Sequence, residues 1–309
     1  MASRRGRAID GVLLFDKPEG MSSNHALQRV RRLLDARKAG HTGTLDPFAT
    51  GLMVLCFGAA TRYAAAMLEA DKQYVATLRF GTETNTGDHT GQVVMEKPWQ
   101  QVQPALDEER VRGVLRQFVG RITQVPPMYS ALKRDGRPLY EYAREGIEIE
   151  RQAREVEVHE IELLDFDALQ GTATIRVDCG KGTYIRTLAQ DIGRAMGSAA
   201  HLTALRRTRT AGFSIDHAVT LSQLEADPAP VARLQAIDVL LQHLPVQELE
   251  SSEARRFLHG QTVRAPGPGA DGMVRVYGAP TGRFLGTANR SGPWLKPDRL
   301  IALTEEYTL

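Results

Sequence analysis

The residues from Gly40 to Pro47 have the composition of a loop that could do chemistry. The segment reads Gly-His-Thr-Gly-Thr-Leu-Asp-Pro, so it places one carboxylate, Asp46, directly before a proline. Proline disfavours the helical region for the residue that precedes it, so we expect Asp46 in an extended or turn backbone. A carboxylate held in this way can act as a nucleophile or a general base if a partner keeps it ionised. The alternative is that Asp46 only stabilises a turn, which is the commoner role of an isolated Asp-Pro pair.

A second candidate segment runs from Gly180 to Thr187 and contains Tyr184 and Arg186. An aromatic ring two residues from an arginine suits a stacked base or a carboxylate partner. The alternative is a helix entry with a surface arginine and a half-buried tyrosine. Tyr74 is ambiguous in the same way. The run from Leu205 to Arg209 is basic enough to contact phosphate, or it is a solvated helix end.

Other kinds of chemistry find little support in the sequence. His41, Asp46, Asp88 and His89 could suggest a metal site, but their spacing matches no standard ligand pattern. Neither cysteine lies close to a histidine along the chain, and no Gly-x-Ser-x-Gly motif is present. The glycines around His41 lack the Gly-Lys-Ser/Thr ending of a phosphate-binding loop. These patterns give little support to a metal site or a phosphate-binding loop.

Short strands and helices must position these candidate residues. Val12–Phe15 has the pattern of a strand and ends in a turn cluster, after which Ser22 or Ser23 can cap a helix. Leu52–Phe57 follows the glycine-rich loop with the pattern of a buried strand. The other elements expected around the candidate residues are a helix over 59–70, strands over 74–80, 156–164 and 172–177, and a helix over 182–196. This mixture predicts a protein with both helices and strands.

The composition of the chain changes at two places. Residues 121–154 are polar and basic, with three tyrosines and no long apolar run, which is typical of a functional insertion rather than of core. After Leu241 the helical patterns fade, and the chain becomes rich in glycine, proline and short strand-like runs. We therefore expect one large domain over 1–245, interrupted by 121–154, and a small β-rich domain over 246–309.

The net charge of +2 hides an uneven distribution of charged residues. Residues 1–38 and 181–210 each have five more basic than acidic side chains, whereas residues 155–180 have six more acidic than basic ones. If folding joins the two basic segments, they form a face suited to nucleic acid; scattered solvated charges are the alternative. A hydrophobic fraction of 42% excludes a disordered chain.

The sequence also indicates where the protein acts in the cell. Its longest mainly apolar run, Leu52–Ala60, is too short to span a membrane. The apolar run near the N-terminus is too short for a signal peptide, and the chain has only two cysteines. We expect a cytoplasmic protein with no membrane partner.

Two N-terminal motifs resemble those of the TruB family of tRNA pseudouridine synthases. They are Asp-Lys-Pro-x-Gly-Met-Ser-Ser over 16–23 and Ala-Gly-His-Thr-Gly-Thr-Leu-Asp-Pro-x-Ala-Thr-Gly over 39–51. Further blocks similar to that family follow in the family's order at 71–74, 127–133, 139–144, 181–187 and 205–207. The tail resembles the family's small PUA-type RNA-binding domain by position and size. The resemblance thus covers residues 9 to about 210 by motif.

The resemblance implies an α+β protein with the pseudouridine synthase fold. That fold has a mixed, largely antiparallel sheet with flanking helices, here followed by a small C-terminal β-rich PUA-like domain. Asp46 would be the catalytic aspartate, and the Arg186 guanidinium would be its ion-pair partner and lower its pKa. The other implied roles are stacking on the target uracil for Tyr74, enclosure of the site for Tyr184, contact with the base for Leu205, support of the rearranged RNA loop for His41 and support of the catalytic loop for Lys17.

The implied reaction converts uridine to pseudouridine at position 55 in the T-loop of tRNA. The bond from N1 to C1′ breaks and one from C5 to C1′ forms, with no redox step, so no cofactor or metal is required. The target base must leave its stack, at a cost on the order of a few kcal/mol that stacking on aromatic side chains offsets. Asp46 could attack C1′, add to C6 or take the C2′ proton, and the sequence does not choose among these routes.

Residues 121–154 resemble the family's thumb loop, which closes on the T-arm. This likeness favours a monomer that acts on tRNA without a guide RNA. Two alternatives stay open at this point: an RNA-binding or tRNA-folding module without catalysis, and a metal-dependent hydrolase that uses the histidines and aspartates named above.

Overall fold

The computed structural model describes residues 6–97, 99–102 and 108–301. The outer ends of the two expected domains, residues 1–5 and 302–309, therefore lie outside the described residues. The described chain is an α+β structure with one large mixed sheet and a smaller C-terminal sheet, as expected. No helix in these ranges is long and apolar enough to cross a membrane.

The large sheet is built from strands that are far apart in the sequence. It has the order β14-β1-β3-β12-β4-β11-β10-β7, with β2 paired to β3 and β13 paired to β12. The pairs β1–β14 and β3–β12 are parallel, and the other pairs of this sheet are antiparallel. The bounds of β1 to β14, in chain order, are Gly11–Lys17, Ala39–His41, Thr50–Phe57, Lys72–Phe80, Thr82–Thr84, Val93–Glu96, Gly120–Gln124, Lys133–Arg134, Arg137–Pro138, Arg154–Asp167, Thr172–Cys179, Ala200–Thr210, Phe213–Ser214 and Val219–Thr220.

Helices cover one face of this sheet and bury its main core. Leu27 and Val30 of α1, Val111 of α3 and Leu188 and Ile192 of α5 belong to one cluster with the buried residues of the strands. Burial of such amphipathic faces, rather than intrinsic propensity, stabilises helices of this length. The bounds of α1 to α7 are Ser23–Leu33, Trp99–Val102, Glu108–Arg116, Leu139–Arg144, Ile185–Ala195, Leu221–Ala226 and Ser251–Leu258.

Residues 125–153 leave the large sheet between β7 and β10. The paired strands β8 and β9 and the helix α4 lie in this segment. Arg137 and Arg144 each lie over a tyrosine ring of the same segment, Tyr142 and Tyr140 respectively. The segment is thus organised by its own local contacts.

The predicted α-helix over 59–70 is wrong. The chain forms two short 3-10 turns there, Gly58–Arg62 and Ala64–Met67. The alanines of this stretch favour an α-helix, but Ala60, Tyr63 and Met67 are buried in a second core cluster on the other face of the sheet. Tertiary packing overrides helix propensity at this position.

The C-terminal part of the chain forms the smaller sheet, which confirms the expected β-rich domain. Its order is β15-β17-β18-β19-β16, and α7 packs with it around a separate core. It contacts the rest of the chain, because the Tyr63 hydroxyl donates to the Arg299 carbonyl at 3.0 Å and the Tyr277 hydroxyl donates to Asp238 at 2.7 Å. The bounds of β15 to β19 are Val246–Leu249, Val263–Arg264, Gly272–Gly278, Arg283–Ser291 and Trp294–Leu300.

Candidate active site

The loop that carries Asp46 connects β2 to β3 and is tied to the start of α1. The Ser23 hydroxyl accepts a hydrogen bond from the Leu45 amide at 2.7 Å and donates to the Leu45 carbonyl at 2.8 Å. Ser22, not Ser23, caps the helix, since its hydroxyl accepts from the His25 amide at 3.2 Å. The two adjacent serines therefore have different roles, which the sequence did not distinguish. Ser22 caps the helix, and Ser23 holds Leu45, the residue before Asp46.

Lys17, at the end of β1, holds the other side of this loop. Its side chain is fully buried. Its Nζ donates to the carbonyls of Pro18 and Met21 at 2.8 Å each and to the Pro47 carbonyl at 3.3 Å. Burial lowers the pKa of Lys17 to about 8, although the nearby Asp46 opposes this shift. Lys17 thus joins the turn after β1 to the residue that follows Asp46.

Arg186 and Asp46 form an ion pair across the site. Arg186 Nε lies 2.9 Å from Asp46 Oδ2, and Arg186 Nη2 donates to Asp46 Oδ1 at 3.2 Å. The arginine side chain is only 5% exposed, whereas the aspartate side chain is 33% exposed. Two parallel contacts fix the plane of the carboxylate and leave part of it open to a bound molecule.

Two backbone carbonyls also accept hydrogen bonds from the Arg186 guanidinium. Nη1 donates to the Thr86 carbonyl at 2.6 Å, and Nη2 donates to the Tyr129 carbonyl at 2.7 Å. Tyr129 belongs to the segment between β7 and β10. The position of the ion pair therefore depends on that segment as well as on helix α5, whose first turn contains Arg186.

Asp88 is a site residue that sequence reasoning considered only as a metal ligand. Its Oδ2 lies 3.9 Å from Arg186 Nη1. Its Oδ1 accepts from the Thr86 hydroxyl at 3.0 Å and from the Thr90 amide at 3.0 Å. The spacing of Thr86, Asp88 and Thr90 is typical of a turn closed by an aspartate, and it could have indicated this role of Asp88 from the sequence. Asp88 thus adds a second carboxylate near Arg186, and unlike Asp46 it is almost fully buried.

The ionisation of Asp46 differs from the sequence-based expectation. Burial raises the pKa of the Asp46 carboxyl above its ordinary value of 3.8. Arg186 and Lys17 oppose this shift, whereas Asp88 adds to it. Arg186 thus lowers the pKa, as expected, but desolvation outweighs its effect. The carboxylate is consequently more basic than one in water.

Tyr74 and Leu205 lie on the neighbouring central strands β4 and β12. Leu205 pairs with Ala76 in the register of these strands, and Tyr74 pairs with Arg207. Both Tyr74 and Leu205 are largely buried and belong to the main core cluster. The structure therefore brings these two predicted site residues together, and it shows that 205–209 is strand and not a helix end.

Tyr184 is held in place through its backbone. It is the residue before α5, and both of its backbone groups bind the side chain of Gln124 at the end of β7. The Tyr184 amide donates to Gln124 Oε1 at 3.0 Å, and Gln124 Nε2 donates to the Tyr184 carbonyl at 3.2 Å. Sequence reasoning missed Gln124, because the two residues are 60 positions apart and a lone buried glutamine has no motif.

His41 lies in β2 at the start of the Asp46 loop. Its Nδ1 is buried and has no hydrogen-bond partner among the described residues. Burial and the charge of Arg207 lower the pKa of His41 below its ordinary value of 6.5. A half-buried, neutral imidazole thus lies beside the loop, with its Nδ1 shielded from solvent.

The histidines and aspartates of the metal hypothesis do not converge. Within residues 6–97, 99–102 and 108–301, no three His, Cys, Asp or Glu side chains are grouped so that they could hold a metal ion. His89 Nε2 lies 4.0 Å from Glu19, and Asp88 faces Arg186. The hydrolase alternative therefore has no ligand set in these ranges.

Three family models of pseudouridylate synthases match consecutive parts of the chain, from residue 31 to residue 301. The model for the TruB family pseudouridylate synthase N-terminal domain matches residues 31–185. Models for the tRNA pseudouridylate synthase B C-terminal domain and for the pseudouridine synthase II TruB C-terminal region match 186–244 and 245–301.

Curated relatives and solved structures extend this similarity. A tRNA pseudouridine synthase B of Aromatoleum aromaticum is 52% identical over 96% of this chain and 94% of its own length. One of Bordetella avium is 61% identical over 78% of this chain and 97% of its own length. The solved Cbf5-Nop10-Gar1 complex has the same fold, with a TM-score of 0.68, 24% identity and coverage of 94% of this chain and 84% of that chain. This chain belongs to the TruB family of pseudouridylate synthases.

Proposed function

We propose that this protein converts uridine to pseudouridine at position 55 in the T-loop of tRNA, with Asp46 as its catalytic residue. The observation that carries the proposal is the Asp46 carboxylate, which is raised in basicity by burial, held by two contacts to Arg186 and still partly exposed. The relatives named tRNA pseudouridine synthase B support tRNA as the substrate class.

The chemistry that we assign to Asp46 needs an ionised and oriented oxygen. Arg186 supplies the orientation, because its planar fork fits the carboxylate edge to edge. The oxygen can attack C1′, add to C6 or remove the C2′ proton, and the ion pair supports each route equally. In every case the bond from N1 to C1′ breaks, the bond from C5 to C1′ forms, C5 loses its proton and N1 gains one. The uridine is thus isomerised without any net oxidation.

The other assigned residues act on the RNA and on the loop. We assign Tyr74 and Tyr184 to the faces of the flipped uracil, Leu205 to contact with the base, His41 to the surrounding RNA loop and Lys17 to support of the Asp46 loop. Stacking on aromatic rings offsets the cost of taking the base out of its stack. The half-buried, neutral His41 suits hydrogen bonding to RNA better than an ion pair with phosphate.

The segment between β7 and β10 suggests how the protein contacts its RNA substrate. We infer that residues 121–154 act as a thumb on the T-arm and that residues 246–309 bind RNA beside the catalytic domain of residues 1–245. A protein with its own RNA-contacting insertion needs no guide RNA, so we propose that it acts as a monomer on free tRNA. The carbonyl of Tyr129, which accepts from Arg186, supports a direct link between this insertion and the site.

The decisive experiment is pseudouridine mapping by mass spectrometry on a tRNA transcript treated with purified protein and no guide RNA. We expect modification at position 55 by the wild type and none by Asp46→Asn, which keeps the size of the side chain. Asp165→Asn, at an exposed position of β10, is the matched control and should be fully active. A transcript that the wild type binds but leaves unmodified at every uridine would support the non-catalytic alternative instead.

A further inference from the structure

Arg207, on the central strand β12, is a buried cation without an acidic partner. The residue is only 3% exposed. Its guanidinium donates to the Leu52 carbonyl at 2.7 Å and to the Thr44 and Gly43 carbonyls at 3.4 Å each. No carboxylate in the described part of the chain forms an ion pair with it. Burial of a charge costs free energy of folding, and here only carbonyl hydrogen bonds offset that cost. This cost indicates a role of Arg207 in function.

Two of the three carbonyls that Arg207 binds belong to the loop of Asp46. Gly43 and Thr44 lie between His41 and Asp46. Ser23 and Lys17 hold the loop at Leu45 and Pro47, on either side of Asp46. Arg207 therefore holds the first half of the loop together with the Thr42 amide, which donates to the Val54 carbonyl at 3.1 Å.

The backbone of Arg207 is also fixed by a close approach of β3. Gly51 has a φ of +107°, and a Cβ atom placed there would lie 2.3 Å from the Arg207 carbonyl oxygen. The parallel pairing of β3 and β12 joins these two residues in register. Only glycine permits this distance, so the chain is built to bring Arg207 against the strand that follows the loop.

Arg207 reaches a second part of the site on its other side. It pairs in register with Tyr74 across β12 and β4, and side chains that pair in this way point to the same face of a sheet. Burial raises the pKa of the Tyr74 hydroxyl, and Arg207 opposes that shift. The same guanidinium thus lies between the Asp46 loop and the aromatic ring assigned to the target base.

We propose that Arg207 is a positioning residue for the isomerisation: it holds the Asp46 loop and the Tyr74 ring at a fixed separation without itself touching the RNA. This inference rests on the proposed function, because it needs Asp46 and Tyr74 to act on the same base. Carbonyls held by a charged donor are more rigid than carbonyls held by water, since charge-assisted hydrogen bonds are stronger. An acidic partner beside Arg207 would compete with the loop carbonyls for the same N–H donors, which is consistent with the lack of one among the described residues.

The test compares two replacements of Arg207 in the full chain. Arg207→Gln removes the charge, and Arg207→Lys keeps the charge but loses the planar fork. The matched control is Arg290→Lys in the C-terminal sheet. Arg290 is also buried, and its guanidinium donates to neutral acceptors, namely the Gly267 and Gly292 carbonyls and Gln247 Oε1. None of these partners lies in the large sheet.

Three quantities are measured for each variant: kcat and KM from release of tritium from C5 of uridine in tRNA, and the pKa of His41 by NMR. We expect both Arg207 variants to lose about 100-fold in kcat with KM nearly unchanged, because a displacement of about 1 Å in a catalytic group has that effect. The pKa of His41 should rise in Arg207→Gln and stay low in Arg207→Lys. Arg290→Lys should change neither kcat nor the pKa of His41.

The outcomes separate this inference from the proposed function. Normal kcat in both folded Arg207 variants, a loss confined to KM, or an unchanged His41 pKa in Arg207→Gln would overturn the positioning role. If Arg207→Gln does not fold, kcat of Arg207→Lys relative to Arg290→Lys decides the question. Full activity of Asp46→Asn would instead remove the proposed function, whatever the Arg207 variants do.

Discussion

Arg186 and Asp46 meet through two atoms on each side chain, with Nε 2.9 Å from Oδ2 and Nη2 3.2 Å from Oδ1. The guanidinium plane therefore fixes the rotation of the carboxylate as well as its distance. The carbonyls of Thr86 and Tyr129 take up further donors of the same guanidinium. A side chain with a single donating nitrogen cannot make all these contacts at once.

Arg186→Lys should therefore reduce kcat by about 100-fold or more while the positive charge is retained. The rate of tritium release from C5 of uridine at saturating tRNA measures this effect. Arg194→Lys, on the same helix, is the control: it replaces a half-exposed arginine that pairs with Glu83 at 2.7 Å, and its kcat should match that of the wild type. Equal rates for the two variants would contradict an orienting role for Arg186.

Activity should fall at acidic pH through a pKa above the ordinary aspartate value of 3.8, since burial raises the pKa of Asp46. The ionised carboxylate is the reactive form, so protonation removes activity as the pH decreases. Single-turnover rates followed from neutral pH down to the ordinary aspartate value of 3.8 measure this acid limb. A wild-type rate that stays constant down to the ordinary value would show that Asp46 is not the titrating group.

Asp88→Asn should move that acid limb to lower pH. The negative charge of Asp88 raises the pKa of Asp46, so its removal lowers that pKa and extends activity toward acid. Asp191→Asn is the matched control, because Asp191 pairs with Arg194 at 3.3 Å and is not among the groups that shift Asp46. A limb that moves to higher pH in Asp88→Asn would indicate that Asp88 acts mainly by holding Arg186.

Lys17 should make the free energy of unfolding increase with pH between about 8 and 10.5. Burial lowers the pKa of Lys17 to about 8 in the folded protein, against an ordinary value of 10.5. In that window the unfolded chain binds the proton more readily than the folded chain, so deprotonation favours folding. Urea unfolding of wild type and Lys17→Met at several pH values isolates this effect. Parallel pH dependences in the two proteins would refute it.

Gln124→Ala should destabilise the protein by about 1–3 kcal/mol, because it leaves the Tyr184 amide without an acceptor. The Tyr184 carbonyl loses one of its two donors and keeps the other, the Leu188 amide at 3.0 Å. The substitution should also lower kcat, since Tyr184 immediately precedes the turn that carries Arg186. Urea unfolding and tritium release measure the two effects. Gln242→Ala, at an exposed position, should change stability by less than about 0.5 kcal/mol.

The sequence predicted those parts of the site that lie within one local motif or one family block. The loop of Asp46 was apparent because proline and glycine restrict the backbone around it, and the pairing with Arg186 followed from the resemblance. Gln124 and Arg207 were not predicted as loop or backbone anchors, because their partners lie on strands and loops distant in sequence. The net pKa shift of Asp46 also depends on how much solvent the assembled site excludes, which no local pattern records.

The basic segment 181–210 is less available for RNA than its charge suggests. Arg186, Arg194 and Arg206 pair with Asp46, Glu83 and Asp16, and Lys181 pairs with Glu69. Arg207 is buried among carbonyls. Lys181, Arg194 and Arg209 are exposed, and Arg209 forms no ion pair with any residue that the structure describes. Part of the positive charge in this segment, on Arg186 and Arg207, is thus used within the protein to hold Asp46 and its loop. An affinity for tRNA that falls with salt must therefore draw on cations outside this segment as well.

The position of β12 between β3 and β4 has a consequence for synthesis of the protein. The strand that carries Leu205 and Arg207 is inserted between two strands that leave the ribosome more than a hundred residues earlier. Such pairings have high contact order and form slowly. A nascent chain therefore has Asp46 and Tyr74 but no assembled site until residue 210 has emerged. Premature termination before residue 200 yields a fragment that lacks the central strand and, with it, Leu205 and Arg207.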